Sequence, residues 1–418
     1  MSQTGQPTIG ILAKVFPKLS ESFILEEVLG LERLGVQLRI LALEGPDPHP
    51  MHARAREVKA PLCQLPPRRL QRWAVLTTAQ VRQWLRSPRK SLRVLLESRR
   101  LHGAGWRRKY ARAVWLVEVC RRHGIDRLHV HFASEPTEIA DLAHRLHGIP
   151  FSVSGHAKDI WCCEPALLRQ RLARACFIAT CTRANAEYLA HDVAAPVSVH
   201  RVYHGIDTSL FTPPARRADG RAPLVLAVGR LRPKKGFATL LHALRLLKEG
   251  GHPVRCAIVG YGPDLETLQC LVDTLDMRGS VEFPGPLPHE RLIEWYRQAD
   301  VFCSPCEVQD DGDRDGIPNV MLEAMATALP VIATPVSGIP EVVQHDRNGW
   351  LVPPRDPAAL AEAIAHLLGQ PSLGARLGRA ARETVLTMFD SQRNLATLAA
   401  LLQGASVDPG AGDAVDAR

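Results

Sequence analysis

Short apolar, β-branched runs alternate along this chain with longer stretches whose apolar positions recur every three or four residues. The short runs read as buried strands and the longer ones as helices with one apolar face. In the first half, strands are expected at 8–13, 36–43, 127–132, 151–154, 176–181 and 197–202, with helices at 20–34 and 136–146 among them. A proline-bearing stretch, 211–222, reads as a linker. Beyond it the alternation restarts at P-L-V-L-A-V-G-R and continues through V-R-C-A-I-V-G, S-V-E-F, 301–304, 330–334 and W-L-V-P. Helices are expected between these strands at 238–249, 264–275, 290–298, 319–329 and 357–368. Such alternation builds parallel sheets covered by helices, here two doubly wound α/β halves in tandem. The expected division is 1–212 and 213–374, followed by a helical run at 375–402 and a disordered Gly/Ala/Asp-rich tail at 403–418. Any ligand belongs in a cleft at the carboxyl ends of the strands.

With 418 residues, 46% of them hydrophobic, the chain can fill two sizeable cores. It holds no run of eighteen apolar residues, and its start lacks a basic region followed by a signal-type apolar stretch. A cytoplasmic protein is therefore expected, its ten cysteines mostly reduced and buried. Cys303-x-x-Cys306 and Cys162–Cys163 have no second matched pair nearby, so no metal centre is expected of them.

Charge changes the picture in one place. The formal +9 is concentrated at 66–127, where 17 Lys and Arg face only Glu97, Glu118 and Asp126. Basic and apolar positions interleave there around Trp73, Trp84, Trp106 and Trp115, as in amphipathic helices. Such helices suit an anionic membrane surface, or they pack on a sheet with a solvated arginine face. Nucleic acid is not expected as a partner, because the basic excess is confined to one segment with no accompanying motif.

The most informative stretch is 315–340, D-G-I-P-N-V-M-L-E-A-M-A-T-A-L-P-V-I-A-T-P-V-S-G-I-P. Seven residues separate Asp315 from Glu323. Pro318 suits the first position of a helix running from Asn319, and Pro330 stops it. A helix starting in a glycine turn aims free N–H groups and its positive dipole end outward, a ready phosphate site. Glu323 lies one turn deeper, about 6 Å along the axis, where a carboxylate can accept from ribose hydroxyls. Earlier, a strand runs into G-R-L-R-P-K-K-G, setting Gly229, Arg230 and Lys235 where two cations can hold a diphosphate. The turn from Gly260 to Gly262 is a weak dinucleotide fingerprint, since Leu265 replaces the third glycine, but it suits a close backbone approach. In the first half, His131 and His156 end strands, the latter flanked by Gly155, Lys158 and Asp159.

Taken in order, V-G-R-L-R-P-K-K-G, V-G-Y-G-P, V-E-F-P-G, the acid–seven–acid motif and A-L-P-V-I-A-T-P-V-S-G-I-P-E-V-V resemble the retaining glycosyltransferases of family 4. The first-half runs F-P-K-L-S-E-S-F-I-L-E-E and V-Y-H-G-I-D are similar to bacterial exopolysaccharide members, including those of colanic-acid pathways. The resemblance covers nearly the whole chain and implies the GT-B fold, two Rossmann-like domains facing across a cleft. It further implies that the first domain binds a glycan acceptor, lipid-linked in this subgroup, and the second a nucleotide-diphosphate sugar, with no cofactor or metal. Arg230 and Lys235 resemble the pair that holds the diphosphate, and Glu323 the carboxylate that holds the ribose. Gly316, Ile317, Asn319 and Val320 would complete the phosphate cradle, although Pro318 has no N–H to give. Asp315 stands where the family usually has Glu against the donor sugar. His156 resembles the acceptor-domain histidine beside that sugar, with His131, Lys158 and Asp159 as further cleft candidates. The resemblance also implies that the helix at 375–402 packs back on the first domain.

Chemistry of this kind needs no metal, because fixed cations and a helix end face the charge on the departing nucleotide. The run D-D-G-D-R-D at 310–315 imitates a metal clamp and is expected instead to be a mobile cleft loop. Retention is implied by the resemblance alone, and with no second carboxylate evident for a double displacement, front-face attack is the expected route. Two rivals remain: an NAD-dependent sugar-nucleotide oxidoreductase or epimerase, and a non-catalytic sugar-nucleotide-binding protein. The first needs a glycine-rich turn after the opening strand, where I-L-A-K-V-F-P-K has none.

Overall fold

The computed structural model describes residues 6–45, 47, 53–214 and 221–404. Two all-parallel sheets account for the strands. The first has seven: β1 (Ile9–Ala13), β2 (Leu38–Ala42), β3 (Leu62–Gln64), β4 (Arg127–His131), β5 (Phe151–Gly155), β6 (Phe177–Thr180) and β7 (Ser198–Arg201), in the order β3-β2-β1-β4-β5-β6-β7. The second has six: β8 (Leu224–Val228), β9 (Arg255–Val259), β10 (Val281–Gly285), β11 (Val301–Ser304), β12 (Val331–Ala333) and β13 (Trp350–Leu351), in the order β10-β9-β8-β11-β12-β13. In each sheet the chain reverses its direction of winding beside its first strand, between β1 and β4 and between β8 and β11. Those are the switch points where doubly wound sheets open a crevice for ligands. Both central strands, I-G-I-L-A and L-V-L-A-V, are buried throughout, as parallel strands covered on two faces must be.

Each expected strand is present to within a few residues. The extra strand, β3, is a three-residue edge strand with no buried position, so it leaves no apolar run to find. The basic segment is three helices. Trp106–His123 packs inward, with Val114, Trp115 and Leu116 buried, whereas Arg69–Arg86 and Pro88–His102 form an outer layer against it. On that layer Leu70, Trp73, Val81 and Leu85, then Leu92 and Leu96, stand exposed between arginines.

The run 375–402, read as one helix packing back on the first domain, is divided. Helix Pro371–Met388 stays with the second sheet, burying Leu377, Ala381 and Val385 in its cores. The chain breaks at Phe389–Asp390, where Asp390 caps a new helix, Ser391–Gln403, by accepting from Gln392 N–H and Arg393 N–H. This last helix crosses to the first domain and buries Leu395, Leu398 and Leu402 beside Ile24 and Val28 of helix Ser22–Arg33. The tail expected from 403 onward lies outside the described residues after Gly404, as do 215–220 of the expected linker. No helix among the described residues is long and apolar enough to cross a membrane.

The domains also meet directly. Glu341, from the second, accepts from the N–H groups of Arg183 (2.8 Å) and Ala184 (3.0 Å) and from Tyr203 Oη (2.8 Å) of the first. The acidic loop at 310–315, expected to be mobile, is tied into this junction. Asp313 pairs with Lys234 at 2.8 Å and with Lys158 of the first domain at 3.8 Å, and Arg314 lies over the Trp161 ring at 4.1 Å.

Candidate active site

The loops at the carboxyl ends of both sheets enclose one cavity of about 410 Å³. Gly229, Arg230, Lys234 and Lys235 follow β8, Gly260 and Tyr261 follow β9, and 314–320 follow β11, all from the second sheet. Facing them are Phe23, Phe132, His156, Lys158, Cys181 and His204 from the first. The switch point between β8 and β11 therefore brings together the two motifs that the sequence holds about eighty residues apart.

Lys235 is set by Gly236, which takes φ +65 and comes so close to the backbone that an added Cβ would lie 1.8 Å from Pro305 O. Only glycine fits there. Asp315 carries a double ion pair, Oδ1 to Lys234 Nζ at 3.1 Å and Oδ2 to Lys235 Nζ. Burial alone would raise the Asp315 pKa, but the two ammonium groups outweigh it and bring it to about 2. Burial likewise opposes the charge on Lys235, and Asp315 reverses the effect. Arg230, by contrast, is exposed, stacks over Tyr261 at 5.6 Å and makes no ion pair among the described residues. Arg230 is thus open to solvent while the two lysines of its loop are held by a carboxylate.

Helix Asn319–Ala326 begins one residue after Pro318, which sits just outside it in extended geometry rather than at its first position. Ala328, at φ +55, closes its far end. Glu323, one turn in, is 2% exposed, accepts from Tyr296 Oη at 2.8 Å and pairs with His289 Nε2 at 3.4 Å. Burial disfavours a charged His289, yet Glu323 more than offsets this and raises its pKa.

On the opposite wall His156, buried by the fold and ringed by His204, His131 and His129, is held well below its ordinary pKa and is neutral. Phe23 packs 4.7 Å from His156 and stacks on His204 at the same distance.

Of the residues singled out in the sequence, Gly229, Arg230, Lys235, Gly260, Asp315, Gly316, Ile317, Asn319, Val320, Glu323, His156 and Lys158 line the cavity. Three do not. His131 is fully buried behind His156. Asp159 turns inward to accept from Ala133 N–H and from His156 N–H (3.0 Å), and burial outweighs those bonds and lifts its pKa to about 7. Gly262 packs on the β8 loop, where a Cβ would lie 2.2 Å from Leu231 O, so its glycine serves loop packing rather than a ligand. Sequence reasoning passed over His204, His289 and Lys234. His204, followed by Gly205 just beyond a strand, repeats the strand-end pattern that marked His156, and was the one most open to discovery. Among the described residues, two sets of donor atoms lie close enough to share a cation: His156, Cys181 and His204, and Glu27, His129 and His131. The cysteine pairs at 162–163 and 303–306 join neither set, and all ten cysteines are free thiols.

Residues 211–384 match the family model described as glycosyl transferases group 1. The colanic acid biosynthesis glycosyltransferase WcaL of Escherichia coli (strain K12) is 39% identical over 201 residues, covering 48% of this chain and 49% of that protein. The chain thus spans about half the length of the curated relatives it matches. Among solved structures, the sucrose-phosphate synthase of Thermosynechococcus elongatus superposes with TM-score 0.72 at 20% identity, covering 95% of this chain and 98% of its own. Anabaena HepE, solved with UDP and glucose, gives 0.71 at 16%, covering 95% and 99%. The second half of the chain is therefore a glycosyl transferases group 1 domain, and the two parallel-sheet domains together form the GT-B fold.

Proposed function

We propose that this protein transfers a sugar from a nucleotide-diphosphate donor to a glycan acceptor, lipid-linked in bacterial exopolysaccharide biosynthesis, with retention of configuration and without a metal. The observation that carries this reading is the single cavity in which Arg230, Lys234, Lys235, the start of helix Asn319–Ala326 and Glu323 face His156 and His204. Cations and a helix end receive the diphosphate, and Glu323, held by Tyr296 and His289, accepts from the ribose. The bond between the anomeric carbon and the phosphate oxygen breaks, and its electron pair leaves with the nucleotide. The acceptor hydroxyl attacks from the same face, and its proton passes to the departing phosphate. Arg230 and the two lysines are preorganised for the charge that appears there. Asp315 keeps both lysines in place and, in the same cavity, offers its carboxylate to the sugar hydroxyls.

The exposed apolar row of helices Arg69–Arg86 and Pro88–His102, set among arginines, supports a second part of the reading: docking on an anionic membrane that carries the acceptor. On this reading the protein works at the cytoplasmic face of the plasma membrane.

The test is a thermal-shift screen of nucleoside diphosphates, followed by product release from the matching nucleotide sugars with and without chelator. Turnover that survives the chelator is expected. Nucleotide binding without turnover would leave a binding protein in its place, and activity restored only by added metal would return the 310–315 loop and the histidine sets to consideration.

A further inference from the structure

Glu27 is a buried charge for which the transfer reading has no use. It lies on helix Ser22–Arg33, is 6% exposed and does not line the cavity. Its Oε1 stands 3.1 Å from His131 Nε2 and 3.8 Å from His129 Nε2. No Lys or Arg pairs with it among the described residues, and the titratable groups that act on it are imidazoles: His131 and His129 on β4, and His204 beyond β7. Burial pushes its pKa up, but these rings outweigh burial and hold it below the ordinary carboxylate value. Glu27 is thus a carboxylate out of water with only histidines to stabilise it, an arrangement that packing alone does not require. Glu27 Oε1 and His131 Nε2 are both buried, stand 3.1 Å apart and have no other hydrogen-bond partner among the described residues, so each faces the other.

The line continues to the cleft. His131 Nδ1 lies 3.5 Å from His156 Nε2, with the two rings within 12° of parallel. Counting protons orders the chain. Facing a carboxylate, His131 carries its hydrogen on Nε2, which leaves the Nδ1 lone pair for His156 Nε2–H. His129 is held apart from this line by Ser152 Oγ and Ser154 Oγ, each at 2.9 Å from one of its ring nitrogens.

We propose that Glu27 is a positioning residue for the transfer reaction: through His131 it fixes the tautomer and orientation of His156, and it sets a permanent negative charge behind the imidazole wall that faces the sugar. The inference rests on the glycosyl-transfer reading. As the nucleoside diphosphate leaves, the anomeric carbon gains positive charge. A fixed negative charge behind that wall favours the transition state over the bound donor, so it acts on kcat rather than on binding. Glu27 forms no bond to the sugar at any stage.

The experiment compares wild type with Glu27→Gln, Glu27→Asp and His131→Asn, measuring kcat, donor KM, nucleoside-diphosphate affinity and Tm. Glu27→Gln should lower kcat by about 100-fold, with donor KM and diphosphate affinity within about twofold of wild type. Glu27→Asp, which keeps the charge, should recover about tenfold of that loss. ¹⁵N imidazole spectra should show His131 as one Nε2–H tautomer in wild type and as a mixture in Glu27→Gln. If Glu27→Gln fails to fold, His131→Asn must show the same selective loss of kcat. The inference is overturned if the folded variants keep wild-type kcat, or if kcat, diphosphate affinity and Tm all fall together with Glu27→Asp no better than Glu27→Gln. An active wild type with an equally active Glu27→Gln removes this inference alone. A wild type that turns over no nucleotide sugar removes the transfer reading, and this inference with it.

Discussion

On the wall carried by the second sheet, the chemistry lies in two contiguous segments, 229–236 and 314–323; on the wall carried by the first, it comes from single residues at separate strand ends and one helix. The second wall is charged, and apart from Arg230 its main charges are matched at close range: Asp315 with two lysines, Glu323 with His289. The first wall presents neutral histidines and Phe23 beside Lys158 and Glu21, and keeps a further, buried charge one layer down on Glu27. A nucleoside diphosphate is the same in every donor of its class, so a local motif can serve it. An acceptor varies, and a wall of single residues on separate loops can vary with it.

That contrast can be broken by mutation. The largest effects belong to the charged wall. Arg230→Ala and Lys235→Ala should each lower kcat by about 100- to 1,000-fold, the scale of losing one preorganised donor at a developing anion, while Tm stays near wild type. Of the two, Lys235→Ala should also let the Asp315 pKa rise, and a shallower loss of stability at acid pH would report it. The Asp315 contribution is present above about pH 4 and lost as pH falls toward about 2, because its folded pKa is depressed.

Next comes Glu323→Gln, which leaves the buried His289 without its carboxylate. Losing a charged hydrogen bond of about 2 kcal/mol should raise donor KM by roughly 10- to 30-fold, with a smaller change in kcat. A variant that weakens kcat alone would argue that Glu323 faces the sugar rather than the ribose.

A subtler effect follows from the same pair. The His289 pKa is raised, so its stabilisation is complete below about pH 6.5 and is lost as pH climbs through the higher folded value. Thermal melts of wild type should therefore decline from neutral to alkaline pH, and His289→Gln should flatten that decline while lowering Tm at pH 6.

The smallest effect on chemistry, and the sharpest on location, is expected from the outer helices. Replacing Leu70, Trp73 and Leu85 together by Glu should abolish retention on liposomes with anionic lipid at low salt, while turnover of a water-soluble acceptor stays within about twofold. Unchanged retention would leave those helices a packing layer.

How far the sequence was legible follows the same contrast. The charged wall could be read because its residues are local: Gly229, Arg230 and Lys235 share one loop, and Asp315 and Glu323 one turn and helix. Their pairing across β8 and β11 needed only the order of strands. What local sequence could not supply were side chains that meet through the fold. Lys234 looks like any loop lysine until Asp313 and Asp315 arrive from β11. His289 begins an ordinary amphipathic helix until Glu323 is beside it. Glu27 reads as the polar half of F-I-L-E-E, and only the packing of its helix on β4 turns it toward His131. Asp159 shows the converse, a charged residue in a promising motif that the fold uses to tie two loops together.

The most direct test of the central claim follows one nucleotide sugar of known anomeric configuration by NMR, with chelator present and a glycan acceptor supplied. Release of the nucleoside diphosphate together with a product of the same configuration is the predicted result. No release from any nucleotide sugar, or an inverted product, would contradict it.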